Sequence, residues 1–338
     1  MGFGDLLVQL IPMSDFSTTF FPPTSQFLPS RDIPSLAGKV RSSQPSRHPR
    51  STSPTSSLSS LSLTHSTPKQ SPDAKVYLFA RSEEKANAAM DRLKKETGKE
   101  DVYFVRMDLG DLESVKKGAG EFLEKEERLD VLFNNAGLMN TPTGELTKGG
   151  LDLQFGTNVV GPYFFTTLLL PILKSSTGRI INTSSSAHKF APAGSGIELA
   201  SLIAGPERDA LIKKWGGMKA GWTLYGQSKL GNILVSNLWA RELEGTGVVS
   251  CALHPGAIKT ELLRYSPSWQ KRVISAGLHP VSMGAYTQLY AGTTAEASAI
   301  NGKYLNPWAR IHKSGPQGDV AETQEILKKW LDEQIAKY

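Results

Sequence analysis

The sequence is poor in the residues from which covalent cross-links and metal sites are built. Cys251 is the one cysteine among 338 residues, so the chain has no internal disulfide bond and no cysteine-rich metal site. The six histidines are scattered and show no HExxH or similar ligand spacing. A metal ion is therefore not predicted, and the cysteine fits a small buried apolar residue in a reducing compartment.

Long hydrophobic runs are missing as well. The longest strongly apolar run, residues 159–173, is broken by Pro162 and Pro171 and is shorter than the roughly 20 residues that span a bilayer. The start, MGFGDLLVQLIP, has no basic segment and places Asp5 early in the apolar stretch, unlike a signal peptide. Leu6 stands where a myristoylation signal has Ser or Thr. These features predict a cytoplasmic protein without a transmembrane segment.

An excess of positive charge is present but uneven. The formal net charge is +6, and residues 1–75 carry seven Lys or Arg against four Asp or Glu, which is half of that excess. The rest of the chain is close to balanced, so no nucleic-acid partner is predicted. With 39% hydrophobic residues the chain can bury the core of one large domain, with extra sequence beside it.

Composition divides the chain sharply. Residues 41–72 contain twelve Ser, four Thr and five Pro, but no acidic residue and no glycine. Such a segment cannot bury enough apolar surface to offset its ordering entropy, so we expect it to be disordered. The predicted organisation is an N-terminal extension over residues 1–40 that leads into a first strand, a disordered segment over 41–73, and a folded domain over 74–338.

Strands and helices alternate from residue 74 onward. Apolar runs predict strands at 74–80, 102–107, 129–133, 178–183, 248–253 and 303–305. Helical periodicity predicts helices at 82–97, 112–125, 151–175, 225–244, 283–291 and 322–337, the first with Ser82 as N-cap and Gly98 as stop. This order is typical of right-handed βαβ units, so the predicted fold is a doubly wound, Rossmann-like α/β domain with a parallel sheet.

Polar segments follow three of the strands, at the sheet edge where open parallel sheets bind ligands. They are Asn134-Asn135-Ala136-Gly137, Ser184-Ser185-Ser186 and His254-Pro255-Gly256-Ala257-Ile258-Lys259-Thr260. Alone, each is equally an ordinary turn or a polar loop. Asn158 interrupts an apolar helix, where a buried amide serves either as a packing tether or as a functional group.

Tyr225 and Lys229 are four residues apart and therefore share one helix face. A phenol with its usual pKa near ~10 is a poor acid or base at neutral pH, but a fixed cation beside it favours the phenolate and lowers that pKa. Tyr225 could then exchange a proton with an alcohol or a ketone. Taken alone, the pair is also what a solvated helix face shows.

Together and in this order, five segments resemble the short-chain dehydrogenase/reductase family over residues 74–338. They are Asn-Asn-Ala-Gly, Thr-Asn-Val-Val-Gly, the serine cluster, Tyr-x-x-x-Lys and Pro-Gly-x-Ile-x-Thr. The stretch WGGMKAGWTLYGQSKLGNIL is similar to the retinol-dehydrogenase and WW-domain-oxidoreductase-like branch, including its fungal members. The resemblance implies an oxidoreductase that moves a hydride between a nicotinamide and an alcohol or carbonyl group.

The resemblance also implies a role for each matching residue. Tyr225 is the expected catalytic acid/base, and Lys229 is expected to favour its phenolate and to bind the nicotinamide ribose. Ser185, two residues after the Asn-Thr pair that ends its strand, is expected to hold the substrate oxygen. Asn158 is expected to brace a water beside Lys229. Ile258 and Thr260 are expected to meet the carboxamide of the nicotinamide, and Pro255 and Gly256 to shape that turn. The other residues that the resemblance implies in cofactor binding are Asn134, Asn135, Ala136 and Gly137.

Two further positions bear on the cofactor. Asp108, next to Leu109, follows the strand at 102–107, where the family places an acidic group on the adenine, with a helix N-cap as the alternative. Arg81 follows the strand at 74–80, where an arginine suits the 2′-phosphate of NADP and an acidic residue would suit NAD. The resemblance therefore favours NADP over NAD, with a solvated arginine as the alternative.

The 39 residues between Ser185 and Tyr225 form an insertion with Trp215, Met218 and Trp222 near its end. We expect it to cover the substrate site and to favour a bulky apolar substrate, although such side chains also serve merely to pack an insertion onto a core. By analogy with the family, the helices beginning near residues 151 and 225 form the faces of a homodimer.

One feature of the family is missing. No glycine lies between Gly38 and Gly98, so the chain lacks the Thr-Gly-x-x-x-Gly-x-Gly loop that cradles the cofactor pyrophosphate. The low-complexity segment stands in place of the end of the first strand, this loop and the first helix, and we hypothesise that it comes from a wrong reading frame or a mis-spliced intron. Weak or no NADP(H) binding is predicted, and a catalytically impaired remnant or binding protein is the alternative function.

Overall fold

The computed structural model describes residue 32 and residues 40–43, 74–259 and 278–338. Its strands are β1 (Val40–Ser43), β2 (Lys75–Ala80), β3 (Val102–Arg106), β4 (Val131–Asn134), β5 (Arg179–Thr183), β6 (Val249–Leu253), β7 (Tyr304–Asn306) and β8 (Arg310–His312). They form one sheet in the order β3-β2-β1-β4-β5-β6-β7-β8. Neighbours are parallel except for β7 and β8, which are antiparallel. The predicted doubly wound parallel sheet is confirmed, and β8 is an addition to it.

Strand β1 lies at the centre of the sheet, between β2 and β4, where Val40 pairs with Lys75 and Arg41 with Val131. The sequence predicted that the low-complexity segment replaces the end of this strand from residue 41, and the structure differs, since residues 41–43 continue it. The physical reason is that the facing N–H and C=O groups of β2 and β4 need an extended partner, whatever its side chains. The positions of the phosphate loop and first helix fall in residues 44–73, outside the described residues.

Helices pack on both faces of the sheet. They are α1 (Glu83–Thr97), α2 (Leu112–Leu123), α3 (Leu153–Ser175), α4 (Pro206–Trp215), α5 (Gly217–Glu242), α6 (Val281–Leu289), α7 (Ala297–Ile300) and α8 (Ala321–Ile335). Helix α1 begins and ends as predicted: the Ser82 hydroxyl accepts from the N–H of Lys85 at 3.3 Å, and Gly98 has a φ of 69°. Positive φ suits glycine, which has no Cβ to clash.

Successive strand residues point to two different cores, as the two-residue period of a strand requires. Leu132 and Ile180 pack with residues of α2, α3, α5 and α8 on one face. Phe133 and Ile181, one position later in their strands, pack with residues of α6 and α7 on the other. The strands are thus buried on both sides, which explains their continuous apolar sequence.

Helix α3 is the one helix in the described part of the chain that is long and apolar enough to cross a membrane, and 72% of its most apolar window is buried inside the protein. That burial is typical of a core helix. The helix contains a π-helical turn at Gly156–Val160, which holds Asn158. Such turns are frequent at functional sites, because they shift side chains out of the regular helical register.

Helix α5 is buried along most of its 26 residues and begins at Gly217 rather than at the predicted residue 225. Helix α8 packs against α3 and α5: the Tyr163 hydroxyl donates to Asp332 at 2.6 Å, and Arg241 donates to Gln324 at 2.9 Å. The chain's own C-terminal helix therefore covers part of the surface that the resemblance assigned to a homodimer.

A buried ion pair anchors the insertion between β5 and α5. Arg208 in α4 lies 3.2 Å from Asp152, and their side chains are 4% and 1% exposed. Asp152 also accepts from the backbone N–H groups of Gln154 and Phe155 and so caps the start of α3. The insertion is thereby fixed to the helix that carries Asn158.

We expect Asp152→Asn to lower the free energy of unfolding by about 3–5 kcal/mol, because it leaves the Arg208 guanidinium buried without a counter-charge. The matched control is Asp111→Asn, which removes the partner of the exposed Lys148 and costs about 0–1 kcal/mol. Urea unfolding followed by tryptophan fluorescence measures both. Equally small losses would show that the pair does not anchor the insertion.

Candidate active site

Tyr225 and Lys229 lie on the buried face of α5, where β4 and β5 end, and are 3% and 4% exposed. The Lys229 ammonium donates to the carbonyl oxygen of Thr183, the last residue of β5, at 2.9 Å. Asn232, one turn further along α5, donates to the same oxygen at 3.1 Å. The pair is therefore not on a solvated helix face, and the strand end of β5 converges on it.

Ser185 is the serine of its cluster that hydrogen-bonds the Tyr225 phenol. Its hydroxyl also accepts from the N–H of Ala187 at 3.2 Å, at the start of the 3₁₀ turn Ser186–Phe190. Ser184 points elsewhere: it is buried and donates to the carbonyl oxygen of Lys229 at 2.7 Å. Ser184 thus ties the end of β5 to α5, and Ser185 faces the phenol.

The pKa of Tyr225 is raised, not lowered. Burial raises it to about 12, and the hydrogen bond from Ser185 opposes that rise only in part. The prediction that Lys229 lowers this pKa is wrong for the protein by itself, since the ammonium lies 5.8 Å from the ring centre and donates to Thr183 instead. Burial also lowers the pKa of Lys229 to about 8, so its charge is lost as the pH rises through that value.

Asn158 is held on three sides. Its side-chain oxygen accepts from the N–H of Leu138 at 2.7 Å, and its amide nitrogen donates to the Leu138 carbonyl oxygen and to the Ser228 hydroxyl, each at 2.9 Å. Both amide protons are used, and one lone pair of the side-chain oxygen is left. Asn158 therefore tethers the loop after β4 to α5, which agrees with its interpretation as a packing tether.

The two asparagines after β4 lock neighbouring elements together. Asn134 is buried and donates to the side-chain oxygen of Asn182 in β5 at 2.9 Å. The side-chain oxygen of Asn135 accepts from the hydroxyl of Thr183 at 3.3 Å and from Gln288 in α6 at 2.7 Å. Because their side chains bond to β5 and α6, the backbone of this segment is the part left to face a ligand.

The segment after β6 forms a fixed turn. Gly256 has a φ of 99°, and its N–H donates to Nδ1 of His254 at 3.1 Å. Burial lowers the pKa of His254 to about 3, so this imidazole is neutral and able to accept. Pro255 and Ile258 follow the same turn and are half-buried. Thr260, the last residue implied by the resemblance, lies outside the described residues.

Arg81 and Asp108 lie together at the ends of β2 and β3, with the guanidinium 3.5 Å from the carboxylate. The alternative of a helix N-cap does not apply, since Asp108 accepts from the N–H of Gly110 at 2.9 Å and the N-cap position of α2 is Asp111. The Leu109 side chain is buried in the core, so its backbone is the part able to meet a ligand. Both charged groups remain about a third exposed at this edge.

Apolar side chains surround Tyr225 on the insertion side. Met139, Phe190 and Trp222 form one cluster with it. The ring centres of Trp222 and Tyr225 are 6.1 Å apart, and those of Phe190 and Trp222 are 5.5 Å apart. Met218, which the sequence placed in the same group, is 49% exposed at the start of α5. Trp222 thus borders the phenol, and Met218 does not.

The described residues fit the two ends of a nicotinamide dinucleotide. A Cβ on Gly137 would lie 3.2 Å from the Lys229 ammonium and 3.4 Å from the Asn158 side-chain oxygen, so glycine keeps the space beside both groups open. At the other end of the same sheet edge, Arg81 and Asp108 offer a cation and a carboxylate. The segment between β1 and β2, where the pyrophosphate contacts are expected, lies outside the described residues.

Three supporting residues were not singled out from the sequence. Ser228 connects Asn158 to the Tyr225 carbonyl oxygen, and Asn232 shares Thr183 with Lys229. Asn232 is seven residues after Tyr225, so helical spacing on the Tyr225 face would have found it. His188, behind Ser185, offered no such signal.

Comparison with known proteins points to one family. The family described as short chain dehydrogenase matches residues 69–197. A short-chain dehydrogenase/reductase of Armillaria gallica is 43% identical over 270 residues, 78% of this chain and 83% of the relative. Human retinol dehydrogenase 13 is 32% identical over 266 residues, 76% of this chain and 75% of the relative. This chain belongs to the short-chain dehydrogenase/reductase family. The predicted family, with its fungal and retinol-dehydrogenase-like relatives, is confirmed.

Solved structures of more distant proteins share the fold. An uncharacterised protein from Mycobacterium paratuberculosis superposes with a TM-score of 0.65 at 24% identity, covering 92% of this chain and 98% of that one. The NADP complex of RhlG from Pseudomonas aeruginosa gives 0.59 at 20% identity, covering 81% and 96%. As a short-chain dehydrogenase/reductase, the protein is an oxidoreductase that acts on alcohol or carbonyl groups of small molecules with a nicotinamide cofactor.

Proposed function

We propose that this short-chain dehydrogenase/reductase moves a hydride between NADP(H) and an alcohol or carbonyl carbon of a bulky apolar molecule, with Tyr225 as acid/base. The observation that carries the proposal is the burial of Tyr225 and Lys229 on one face of α5 at the end of β5, where the Lys229 ammonium donates to Thr183 and Ser185 acts on the Tyr225 phenol. NADP(H), when bound, supplies or accepts the hydride at C4 of its nicotinamide ring. The side chains of the protein orient the substrate and transfer the proton that accompanies the hydride.

In carbonyl reduction, the Ser185 and Tyr225 hydroxyls donate to the substrate oxygen and fix its position. The raised pKa of Tyr225 keeps the phenol protonated at neutral pH, so it can give its proton to that oxygen as negative charge develops there. Lys229 does not lower the pKa of Tyr225 in the protein by itself, but together with the positive charge of an oxidised nicotinamide it would favour the phenolate that remains. Asn158 braces a water beside Lys229 with the remaining lone pair of its oxygen, and that water relays a proton from solvent back to the phenolate. Oxidation of an alcohol reverses these steps.

The preference for NADP rests on Arg81. A guanidinium at the end of β2 matches a 2′-phosphate, and Asp108 holds it at that edge. The structural neighbour RhlG was solved as an NADP complex, which agrees with this choice. The experiments below use a loop-restored chain, in which residues 41–73 are replaced by the first strand, glycine loop and first helix of a short-chain dehydrogenase/reductase that carries them.

We expect Arg81→Ala in the loop-restored chain to weaken NADPH binding about 10- to 100-fold, because a charge-assisted phosphate contact is worth about 1.5–3 kcal/mol. NADH binding should change little, since NADH has no 2′-phosphate. Fluorescence titration gives both dissociation constants, with Lys95→Ala on the exposed end of α1 as the control for charge alone. Equal losses for NADPH and NADH would contradict the assignment.

The apolar cluster of Met139, Phe190 and Trp222 supports a bulky apolar substrate, because a polar or very small molecule would leave these side chains in contact with water. The test is NADPH oxidation by the loop-restored chain with aldehydes and ketones of increasing size. We expect the highest kcat/KM for large apolar carbonyls.

The absence of glycine between Gly38 and Gly98 favours a second candidate function, a catalytically impaired member of the family. This second function is supported if the loop-restored chain binds NADPH but reduces none of the aldehydes and ketones.

A further inference from the structure

His188 lies directly behind the Ser185 turn and faces two backbone carbonyl oxygens. It is 4% exposed. Its Nδ1 is 2.7 Å from the carbonyl oxygen of Ser185, and its Nε2 is 2.8 Å from the carbonyl oxygen of Ser314. The ring of Tyr304 in β7 packs edge-on against it, with the ring centres 5.3 Å apart. Both nitrogens are therefore enclosed and aimed at acceptors.

A carbonyl oxygen can only accept a hydrogen bond. A neutral imidazole has one N–H and one lone pair, so it satisfies one of the two carbonyls and turns a lone pair toward the other. The imidazolium has two N–H groups and satisfies both. The geometry around His188 is thus that of a doubly protonated ring, inside a protein where an unmet contact is costly.

The two carbonyls belong to segments far apart in the sequence that meet beside the site. The segment around Ser314 is also tied to the insertion and to α5. Gln317 donates to the carbonyl oxygen of Pro192 at 2.8 Å, and Asn237 donates to that of Gly318 at 2.9 Å. Among these ties, the one through His188 reaches the turn that carries Ser185, and it is the one that can titrate.

We propose that His188 is a positioning residue, whose imidazolium clamps the Ser185 turn to the Ser314 segment and so holds the Ser185 hydroxyl against Tyr225. In the neutral ring one side of this clamp opens, and the Ser185 turn loses its support from the C-terminal segment. The structural part of this proposal rests only on the contacts of His188 with the Ser185 and Ser314 carbonyl oxygens. Its effect on hydride transfer rests on the function proposed above.

The groups around His188 set the direction of its pH dependence. They are Tyr304 from β7, which packs edge-on against the ring, His254 after β6, which feels the charge of His188 and of Lys189, and Lys189 itself, the next residue in the chain. None of these groups is a carboxylate. Burial lowers the pKa of His188, and the two carbonyls raise it only in part. The imidazolium therefore forms as the pH falls below the usual histidine range, so the clamp closes at acid pH and half-opens as the pH rises.

The first test reads the clamp without catalysis. NMR of the full chain labelled with ¹⁵N-histidine reports how many nitrogens of His188 carry protons, and exchange of the Ala187 amide reports the Ser185 hydroxyl that accepts from it. We expect one protonated nitrogen and faster exchange at and above the usual histidine range, then two protonated nitrogens and slower exchange as the pH is lowered below it. A single neutral form at every pH at which the chain stays folded, with constant Ala187 exchange, would overturn the proposal.

The second test uses H188F and H188Q in the loop-restored chain. H188F has no donor and H188Q can serve one carbonyl, so at acid pH, where the parent carries the imidazolium, we expect kcat to fall about 10- to 100-fold in H188F and less in H188Q, with KM for NADPH unchanged. Above the pH at which His188 loses its proton, the parent should approach H188Q. H312Q is the matched control, because Nδ1 of His312, the last residue of β8, lies 3.0 Å from the carbonyl oxygen of Lys313, its neighbour in the chain. A parental kcat and pH profile in H188Q would overturn the proposal even if H188F fails to fold.

Discussion

Tyr225→Phe in the loop-restored chain should lower kcat by about 10²- to 10⁴-fold, the range that a positioned general acid contributes. The substitution removes the hydroxyl that Ser185 contacts and leaves the ring packed against Met139 and Trp222. NADPH binding and the free energy of unfolding should therefore stay close to those of the parent. Steady-state kinetics of carbonyl reduction and a fluorescence titration measure these quantities.

Tyr103→Phe is the matched control for this experiment. Tyr103 lies in the edge strand β3 and is 39% exposed, far from the strand ends that meet at Tyr225. Its loss should leave kcat unchanged. If Tyr225→Phe also retains the parental kcat, the phenol is not the proton donor, and the proposed function loses its central residue.

The chain as given should bind NADPH about 10²- to 10⁴-fold more weakly than the loop-restored chain. The glycine loop supplies backbone N–H groups and a helix N-terminus to the pyrophosphate, and two or three such charge-assisted bonds account for about 3–6 kcal/mol. Isothermal titration of both chains gives the ratio. A third chain with a Ser/Gly linker over residues 41–73 shows whether the loop itself, rather than removal of the Ser/Pro-rich segment, restores binding.

Tight NADPH binding by the chain as given would contradict this prediction. It would mean that residues 44–73 hold the pyrophosphate without glycine. The related hypothesis, that residues 41–72 come from a wrong reading frame or a mis-spliced intron, has its own test in the transcript. Messenger sequence that reads through codons 38–76 in frame would contradict it.

The sequence predicts the position of a site residue where that position follows directly from the order of strands and helices along the chain. Strands that alternate with helices must place their carboxyl ends at one edge, so the convergence of the segments after β4, β5 and β6 could be predicted. Helical spacing likewise placed Tyr225 and Lys229 on one face. The position of Ser185 beside Tyr225 agrees with the family pattern, which places the expected serine two residues after the pair Asn182-Thr183.

Burial and long-range pairing were beyond such patterns. The neighbouring cation suggested a low pKa for Tyr225, but the degree of burial that raises it to about 12 depends on the insertion packing above it. The sequence indicates Arg81 and Asp108 only as separate cofactor contacts, because their ion pair at 3.5 Å forms between the ends of two strands. His188 meets Ser314 across 126 residues, a separation that no local motif reports.

Strand β1 shows a third limit. Its residues have the composition of a disordered segment, yet residues 41–43 complete the sheet, because backbone hydrogen bonding from both neighbours decides their conformation. Composition predicts whether a segment can fold by itself. Composition does not predict whether two neighbouring strands with unpaired backbone groups will order the segment between them.

The most direct measurement is the fate of deuterium carried at C4 of NADPH. The loop-restored chain is incubated with deuterated NADPH and a bulky apolar ketone, and the alcohol product is analysed by mass spectrometry and NMR. The account predicts deuterium on the carbinol carbon, with label lost almost completely in Tyr225→Phe and retained in Tyr103→Phe. Binding of NADPH without transfer of label to any carbonyl compound, or equal transfer by Tyr225→Phe, would contradict it.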